Sequence, residues 1–518
     1  MNNMKKGTGI VYLVGAGPGH PGLITMLGHR LLQECDAVVY DDLIPYELVS
    51  ALPAKIERHY VGKRAGRHST PQNETSDLLV ELAKRGLKVV RLKGGDPLVF
   101  ARGGEEATIL KKSGIPFQII PGVTAVTACA SGTGIPLTDR RNSAWLLIAT
   151  GKEASSASLP VPWEQIAALR GGTFAVYMGV GALQSIVDRL ISSGADPDTP
   201  SAVVVSGYTG MQRVVTASIS ELPRRCREEN VESPAIVIVG EVVNRMREID
   251  WMIPGVLAGK RILVTRPTEF APNMCDRLRV LGAEPLMLPT IAIAPFEDQD
   301  GWINFLHSLR HKGWLIFTSR SGVIHLLDGL LERGFDLRDL SSFKIAAIGP
   351  GTADELARRG LKADFTPDKA TVASLAEEFA SRNDLTGAVV VRVRGDLSDD
   401  TIERALSERS INTFPVTVYR TITPAWEPHW IASLQDNPPD YITFSSSSTV
   451  DGFVKILGKD AANKIVSGST ILSIGPSTSK TISKYGWKVT AEADPHTQEG
   501  LVEKLVEISG SADVPVDV

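Results

Sequence analysis

The sequence predicts an α/β protein of several lobes, and three observations carry that prediction. Short, wholly apolar runs of strand length, such as Ala37-Val-Val-Tyr40, alternate with amphipathic helical stretches, which is the pattern of parallel sheets covered by helices. Strands end in glycine turns, above all in Val90-Arg-Leu-Lys-Gly-Gly-Asp-Pro97. The second half also repeats itself. Trp314-Leu-Ile-Phe-Thr-Ser-Arg-Ser-Gly-Val323 returns 127 residues later as Tyr441-Ile-Thr-Phe-Ser-Ser-Ser-Ser-Thr-Val450, and Ile348-Gly-Pro-Gly-Thr352 returns 126 residues later as Ile474-Gly-Pro-Ser-Thr478. Two similar α/β lobes follow from that repeat.

Composition narrows the function classes. With 518 residues, 43% hydrophobic and 22% charged, the chain fills more than one core. A net charge of −4 gives no basic field, so no nucleic-acid partner is expected. No run of about eighteen uninterrupted apolar residues occurs, so neither a membrane span nor an export signal is expected. Cys35, Cys129, Cys226 and Cys275 lie far apart without metal-knuckle spacing and read as reduced thiols in a cytoplasmic protein, with no metal.

The first strand runs into Val14-Gly-Ala-Gly-Pro-Gly19 and a helical pattern from Leu23 to about Cys35. A dinucleotide fingerprint would need glycine where His20 stands, and Pro18 occupies the turn; a nicotinamide-dependent oxidoreductase stays as an alternative because the second strand ends on Asp41 and Asp42. Next comes Val61-Gly-Lys-Arg-Ala-Gly-Arg-His68, a loop with Lys63, Arg64 and Arg67 before an amphipathic helix. It reads either as a solvated basic turn or as an anion site at a strand end. Arg102, Arg140 and Arg141 repeat the sign. In the glycine turn, Gly94 and Gly95 free the backbone for a ligand, Asp96 offers a carboxylate and Pro97 fixes the exit; the plain alternative is a tight strand-to-helix turn.

Together these stretches, with Gly103-Gly-Glu-Glu106, Pro121-Gly122-Val-Thr124-Ala125, Gly134-Ile-Pro-Leu-Thr138, Tyr177-Met178-Gly179, Gln212-Arg-Val-Val215 and the strand after Pro234, resemble the tetrapyrrole methyltransferases over residues 8–250, most of all uroporphyrinogen-III C-methyltransferase. The resemblance implies S-adenosyl-L-methionine as cofactor, held by Pro18, Gly94, Gly95, Asp96, Val99, Thr124, Ala125, Met178, Gly207 and Ala235. It also implies Asp41 as proton acceptor and Lys63 as proton donor, and a substrate with many carboxylates gives Arg64, Arg67, Arg102 and Arg140 a role. His20 and Asp139 depart from the family pattern, which has an acid and a histidine there. The plain reading of Asp41 is a strand-end cap, and Lys63 could serve as a carboxylate anchor.

In the second half each repeat places a strand ending in Ser or Thr before a helix, then a strand ending in Gly-Pro-x-Thr at a helix start; such hydroxyls and free N–H groups bind anions or simply cap helices. Phe317-Thr318-Ser319, Ile348-Gly-Pro350, Val418-Tyr419-Arg-Thr421, Phe444-Ser445 and Ile474-Gly-Pro476-Ser-Thr478 resemble uroporphyrinogen-III synthase over about residues 259–510. That resemblance implies two lobes, 259–291 plus 422–510 and 292–421, joined by a two-stranded ribbon. Tyr419 is implied to assist loss of the hydroxyl from hydroxymethylbilane, with Thr318, Ser319, Ser445 and Thr478 as substrate contacts; a buried strand tyrosine is the plain alternative.

The reading is a cytoplasmic bifunctional enzyme. Residues 1–250 would form a bilobal methylase that adds two methyl groups to uroporphyrinogen III, giving precorrin-2 on the sirohaem and cobalamin branch. Residues 251–258, with Pro254 and Gly255, would be a linker without an apolar weld, and residues 259–518 a synthase that cyclises hydroxymethylbilane. Each half is expected to fold alone, with a homodimer through the first half as an open option. A later corrin-ring methyltransferase joined to a tetrapyrrole-binding module is the second alternative.

Overall fold

The computed structural model describes residues 7–53, 55–62, 72–152, 160–249, 251, 255–385 and 387–510. The first half supplies β1 (Ile10–Gly15), β2 (Ala37–Tyr40), β3 (Glu57–Tyr60), β4 (Lys88–Lys93), β5 (Phe117–Ile120), β6 (Leu146–Thr150), β7 (Thr173–Tyr177), β8 (Pro200–Val205), β9 (Arg213–Ser218) and β10 (Ala235–Val239). The second half supplies β11 (Arg261–Val264), β12 (Glu284–Met287), β13 (Ala292–Pro295), β14 (Gly313–Phe317), β15 (Phe343–Ala347), β16 (Val389–Gly395), β17 (Thr413–Ile422), β18 (Tyr441–Phe444), β19 (Thr470–Ser473) and β20 (Ala491–Glu492). They form four five-stranded sheets, ordered β3-β2-β4-β1-β5, β6-β7-β10-β8-β9, β12-β11-β18-β19-β20 and β13-β17-β16-β14-β15. The α/β class expected from the sequence is borne out.

The first and third sheets are parallel throughout, the second is antiparallel except for β6 with β7, and the fourth is parallel except for β13 against β17. Strand β2 is buried at every position, as a strand covered on both faces must be. At the exits of β1 and β4 the backbones touch: a Cβ on Gly15 would stand 2.6 Å from Gly122 and from the Gly95 carbonyl. The helix Met26–Glu34 starts later than Leu23, because Thr25 caps it through Oγ1 to the Gly28 N–H at 3.1 Å. Pro21–Leu23 forms a separate 3-10 turn capped by His20 Nδ1, which accepts the Gly22 N–H at 2.9 Å.

The repeat appears as structure. Strand β14, helix Arg320–Glu332, β15 and helix Pro350–Arg358 are matched by β18, helix Ser447–Leu457, β19 and helix Pro476–Lys484. Ser319 and Ser446 cap the first helix of each set, and Gly349 and Gly475 precede the proline that opens the second.

The chain packs as two compact units: residues up to Pro289 with those from Trp426 onward, and Thr290–Ala425. The smaller unit holds the fourth sheet around Trp302, Phe305, Leu315, Phe317 and Val391. In the larger unit one buried cluster joins Tyr40, Ile44, Leu48 and Val49 of the first half to Leu286, Trp430, Leu434 and Phe444 of the second. The five-residue helix Tyr46–Ser50 makes the join. The Tyr46 ring meets Trp430 edge-on at 5.6 Å and its hydroxyl donates to Ser433 Oγ at 3.0 Å. Glu47 pairs with Arg279, and Ser50 Oγ donates to the Met287 carbonyl at 2.9 Å. The halves therefore do not keep separate cores. The weld lies in a helix too short to show a period in the sequence, while the described crossing residues Val256 and Leu257 pack on the cluster of the synthase half; 252–254 lie outside the described residues.

Candidate active sites

The methylase-like site is built where β1 and β4 end. Gly17 and Gly95 form an antiparallel bridge, with Gly95 N–H to the Gly17 carbonyl at 2.9 Å, and Gly95 sits at φ +70°, which suits glycine. A Cβ there would lie 3.7 Å from the Ala125 nitrogen and 3.9 Å from Thr124 Cα, so this turn faces the start of helix Ala125–Thr133 across a narrow gap. Asp96 ties the two loops together: Oδ2 accepts the Gly122 N–H at 3.1 Å and Oδ1 the Leu98 N–H at 2.8 Å. Val99 and Ala125 pack on the cluster that holds Tyr177, Val204 and Ile236.

Tyr177 does what the sequence did not announce. Its hydroxyl lies 2.6 Å from Thr124 Oγ1 and accepts the Val126 N–H at 2.9 Å, so the second sheet grips the helix start. Burial pushes that phenol above its ordinary pKa. Met178 follows at φ +53° with 45% of its surface exposed. Gly207 packs on Cys129, where a Cβ would come within 2.3 Å of Sγ, and Ala235 opens β10 beside Val205. Pro18 lies half-buried in the first glycine loop.

Asp41 stands at the end of β2, and its Oδ2 accepts from Arg91 at 2.9 Å while Oδ1 accepts the Leu43 N–H at 3.2 Å. Arg91 also reaches Glu106 at 3.3 Å, and Lys93 Nζ donates to both Glu106 oxygens at 3.0 and 3.1 Å. Burial holds the Lys93 ammonium below its ordinary pKa, with Arg91 adding to that effect and Glu106 opposing it. This buried chain of charges was missed from sequence, although Arg91 and Lys93 at alternate positions of an otherwise apolar strand are its signal. Asp41 lines a cavity of about 1430 Å³ together with Asp42, Tyr60, His20 and Tyr208.

The arginines divide. Arg102 makes a two-pronged pair with Glu105 at 2.9 and 2.7 Å, and Arg140 is exposed; neither lines that cavity. Lys63, Arg64 and Arg67 lie outside the described residues. Asp139 is clasped by Arg141 at 3.0 Å and by the Arg141 N–H at 2.9 Å, which hold its carboxyl at about 2. The four cysteines are buried and unbridged; burial raises Cys129 and Cys275 to about 12, so they are inert thiols.

In the smaller unit Tyr419 lies on β17, which pairs with β16 on one side and β13 on the other. Its hydroxyl is 3.1 Å from Ser319 Oγ, which also caps its helix through the Gly322 N–H at 3.0 Å. Burial raises the phenol's pKa, and the Ser319 hydrogen bond opposes that. A Cβ on Gly395 would meet the Tyr419 ring at 2.4 Å, so the bulged end of β16 leaves the room in which the ring sits. Thr318 is half-buried beside Ser319. In the larger unit Ser445 is half-buried one residue before the cap Ser446, and Thr478 is only 3% exposed in the first turn of helix Pro476–Lys484. Ser447 Oγ donates to the Ser477 carbonyl at 3.1 Å, tying two helix starts together.

Known proteins match both halves. Residues 10–223 match the Tetrapyrrole (Corrin/Porphyrin) Methylases and residues 273–503 match Uroporphyrinogen-III synthase HemD. The "Porphyrin biosynthesis protein HemD" of Ruminiclostridium josui is 36% identical over 503 residues, 97% of this chain and 98% of its own length. The siroheme synthase of Pseudomonas aeruginosa strain LESB58 is 44% identical over 244 residues, 47% of this chain, which spans only 52% of that relative. The uroporphyrin-III C-methyl transferase of Thermus thermophilus, solved with S-adenyl homocysteine, is 38% identical with a TM-score of 0.39, covering 46% of this chain and 99% of its own. The chain belongs to the porphyrin biosynthesis family that joins a tetrapyrrole methylase to a uroporphyrinogen-III synthase, and it is a bifunctional enzyme of tetrapyrrole biosynthesis.

Proposed function

We propose that the second half cyclises hydroxymethylbilane to uroporphyrinogen III and that the first half then methylates it twice with S-adenosyl-L-methionine, giving precorrin-2. The observation that carries the methylation reading is Asp41: a carboxylate anchored by Arg91 on one oxygen, at the mouth of a cavity large enough for a tetrapyrrole, at the neighbouring strand end to the Gly94–Gly95 turn.

The residues present fit the cofactor. Gly94, Gly95, Val99, Thr124, Ala125 and Met178 offer backbone polar atoms and apolar side chains, and the space beside Gly95 is one that a Cβ would enter. Pro18, Gly207 and Ala235 complete the cofactor-binding set, with Asp96, which also ties the two loops together. Bound S-adenosyl-L-methionine supplies an electrophilic methyl group. The chain's own work is to hold the nucleophilic pyrrole carbon in position, a contribution of about 7 to 11 kcal/mol for well-oriented reactants. Asp41 then takes the proton that the cationic methylated product loses, its carboxylate held in place by Arg91. Lys63, Arg64 and Arg67 are read as meeting the substrate's carboxylates, as are Arg102 and Arg140, although neither of these two lines the Asp41 cavity.

In the synthase half Tyr419, oriented by Ser319, assists departure of the hydroxyl from hydroxymethylbilane, and Thr318, Ser445 and Thr478 belong to the substrate-binding lobes. Among the described residues no helix is long and apolar enough to cross a membrane. The enzyme is read as cytoplasmic and acting on small molecules, without nucleic acid, and a homodimer is one assembly to test. Relatives named siroheme synthase favour the sirohaem branch. A coupled assay of the intact chain with hydroxymethylbilane and S-adenosyl-L-methionine tests the proposal: precorrin-2 is expected, and type I isomers or an unmethylated product would contradict it.

A further inference from the structure

The cavity beside Asp41 is not lined by the methylase half alone. Arg279, Glu284, His429 and Trp430, all from the synthase half, line it too. They are fixed there. Glu284 Oε2 accepts the Gly210 N–H at 2.9 Å, Arg279 is paired with Glu47, and Trp430 is packed edge-on to Tyr46. His429 lies flat on the Tyr60 ring, with centroids 3.6 Å apart and planes 9° from parallel. Tyr60 in turn donates its hydroxyl to Asp42, next to Asp41.

Beside these rings lies an unsatisfied group. The Tyr40 hydroxyl is buried, has no hydrogen-bond partner among the described residues, and belongs to a side chain only 2% exposed that lines the cavity. The Tyr40 ring is 5.7 Å from His429 and 5.8 Å from Tyr60. A buried hydroxyl left unpaired is costly, so a ligand with polar groups is what this corner suits. Flat aromatic rings beside acids suit a pyrrole: the ring face stacks, and its N–H donates to a carboxylate.

We propose that the synthase half forms one wall of the methylase's substrate cavity, and that His429, stacked on Tyr60, is a wall residue that binds uroporphyrinogen during methylation. The proposal rests on the reading of the Asp41 cavity as the substrate site. It makes substrate specificity in methylation depend on a side chain from the other enzyme family.

Steady-state methylation of uroporphyrinogen III by the intact chain tests it. His429→Ala should raise the KM for uroporphyrinogen III about tenfold while the KM for S-adenosyl-L-methionine stays within twofold. An unchanged uroporphyrinogen KM in a variant that melts like the parent overturns the proposal. Asp41→Asn separates the two ideas: if it leaves methylation intact, the cavity is not the substrate site, whereas loss with Asp41→Asn and no effect with His429→Ala removes the wall alone. Should His429→Ala fail to fold, amide exchange of the unaltered chain decides. Uroporphyrin III with S-adenosylhomocysteine should slow exchange in Pro428–Asp436, and no slowing there overturns the proposal.

Discussion

The two lobes of the synthase half are repeats, yet they bury the same kind of residue against different partners. Helix Gln299–Ser308 precedes β14, and helix Pro428–Asp436 precedes β18. Each carries a tryptophan that is 4% exposed, Trp302 and Trp430. Trp302 packs within its own lobe, against Phe305 at 5.8 Å and beneath the Arg333 guanidinium at 4.1 Å. Trp430 packs on Tyr46 of the methylase half. A repeat thus specifies a fold and an apolar stripe, but the neighbour that covers the stripe depends on distant sequence.

The sharpest way to break this comparison is to truncate both tryptophans. Trp430→Ala and Trp302→Ala should each cost about 3 to 5 kcal/mol, but in different units. Urea unfolding followed by methylation activity should shift strongly for Trp430→Ala and little for Trp302→Ala. Equal shifts would mean that the two lobes share one fate.

Next in size is Tyr419→Phe. Removing the hydroxyl held by Ser319 should slow cyclisation about a hundredfold with the type III isomer still formed, while methylation of supplied uroporphyrinogen III continues. A parental cyclisation rate would make the hydroxyl structural.

Glu47→Ala should remove the pair to Arg279 and destabilise the larger unit by about 1.5 to 3 kcal/mol, since it leaves a partly buried guanidinium with only the exposed Asp276 as partner. An exposed pair of the smaller unit, Arg333 with Glu297, should give at most about 1 kcal/mol on Glu297→Ala. Chemical melts of the two variants give the ratio directly.

The smallest effect is one of pH. Burial raises the Glu284 carboxyl above 4.5, against the opposing Gly210 hydrogen bond. A carboxyl raised in the folded state stabilises fully below its unfolded value and loses that contribution as pH climbs through the raised one. The larger unit should therefore weaken from pH 4.5 upward, and Glu284→Gln should flatten that slope. A slope unchanged by the substitution would remove Glu284 from the join.

Much of this was legible in the residues. The glycine turn at Gly94-Gly95, the repeat and the apolar strands gave the sheets, because each is a local pattern. Asp41 at a strand end was legible for the same reason. Three things were not. The hold of Tyr177 on Thr124 joins residues 53 positions apart, which no local spacing reveals. Arg91, Lys93 and Glu106 looked like ordinary charges until the fold buried them together. The helix Tyr46–Ser50 is too short to display an amphipathic period, so the weld between the halves could not be read from it.

The central claim is that the methylase half and the adjoining synthase lobe share one buried core, and it can be tested without separating the halves beforehand. A protease site placed at residues 252–254 and cut after folding leaves the 55.7 kDa chain in two pieces of similar length. The shared core predicts that the pieces elute together on a sizing column and methylate uroporphyrinogen III with the KM of the uncut chain. Two separate peaks, each retaining its own activity, would contradict it.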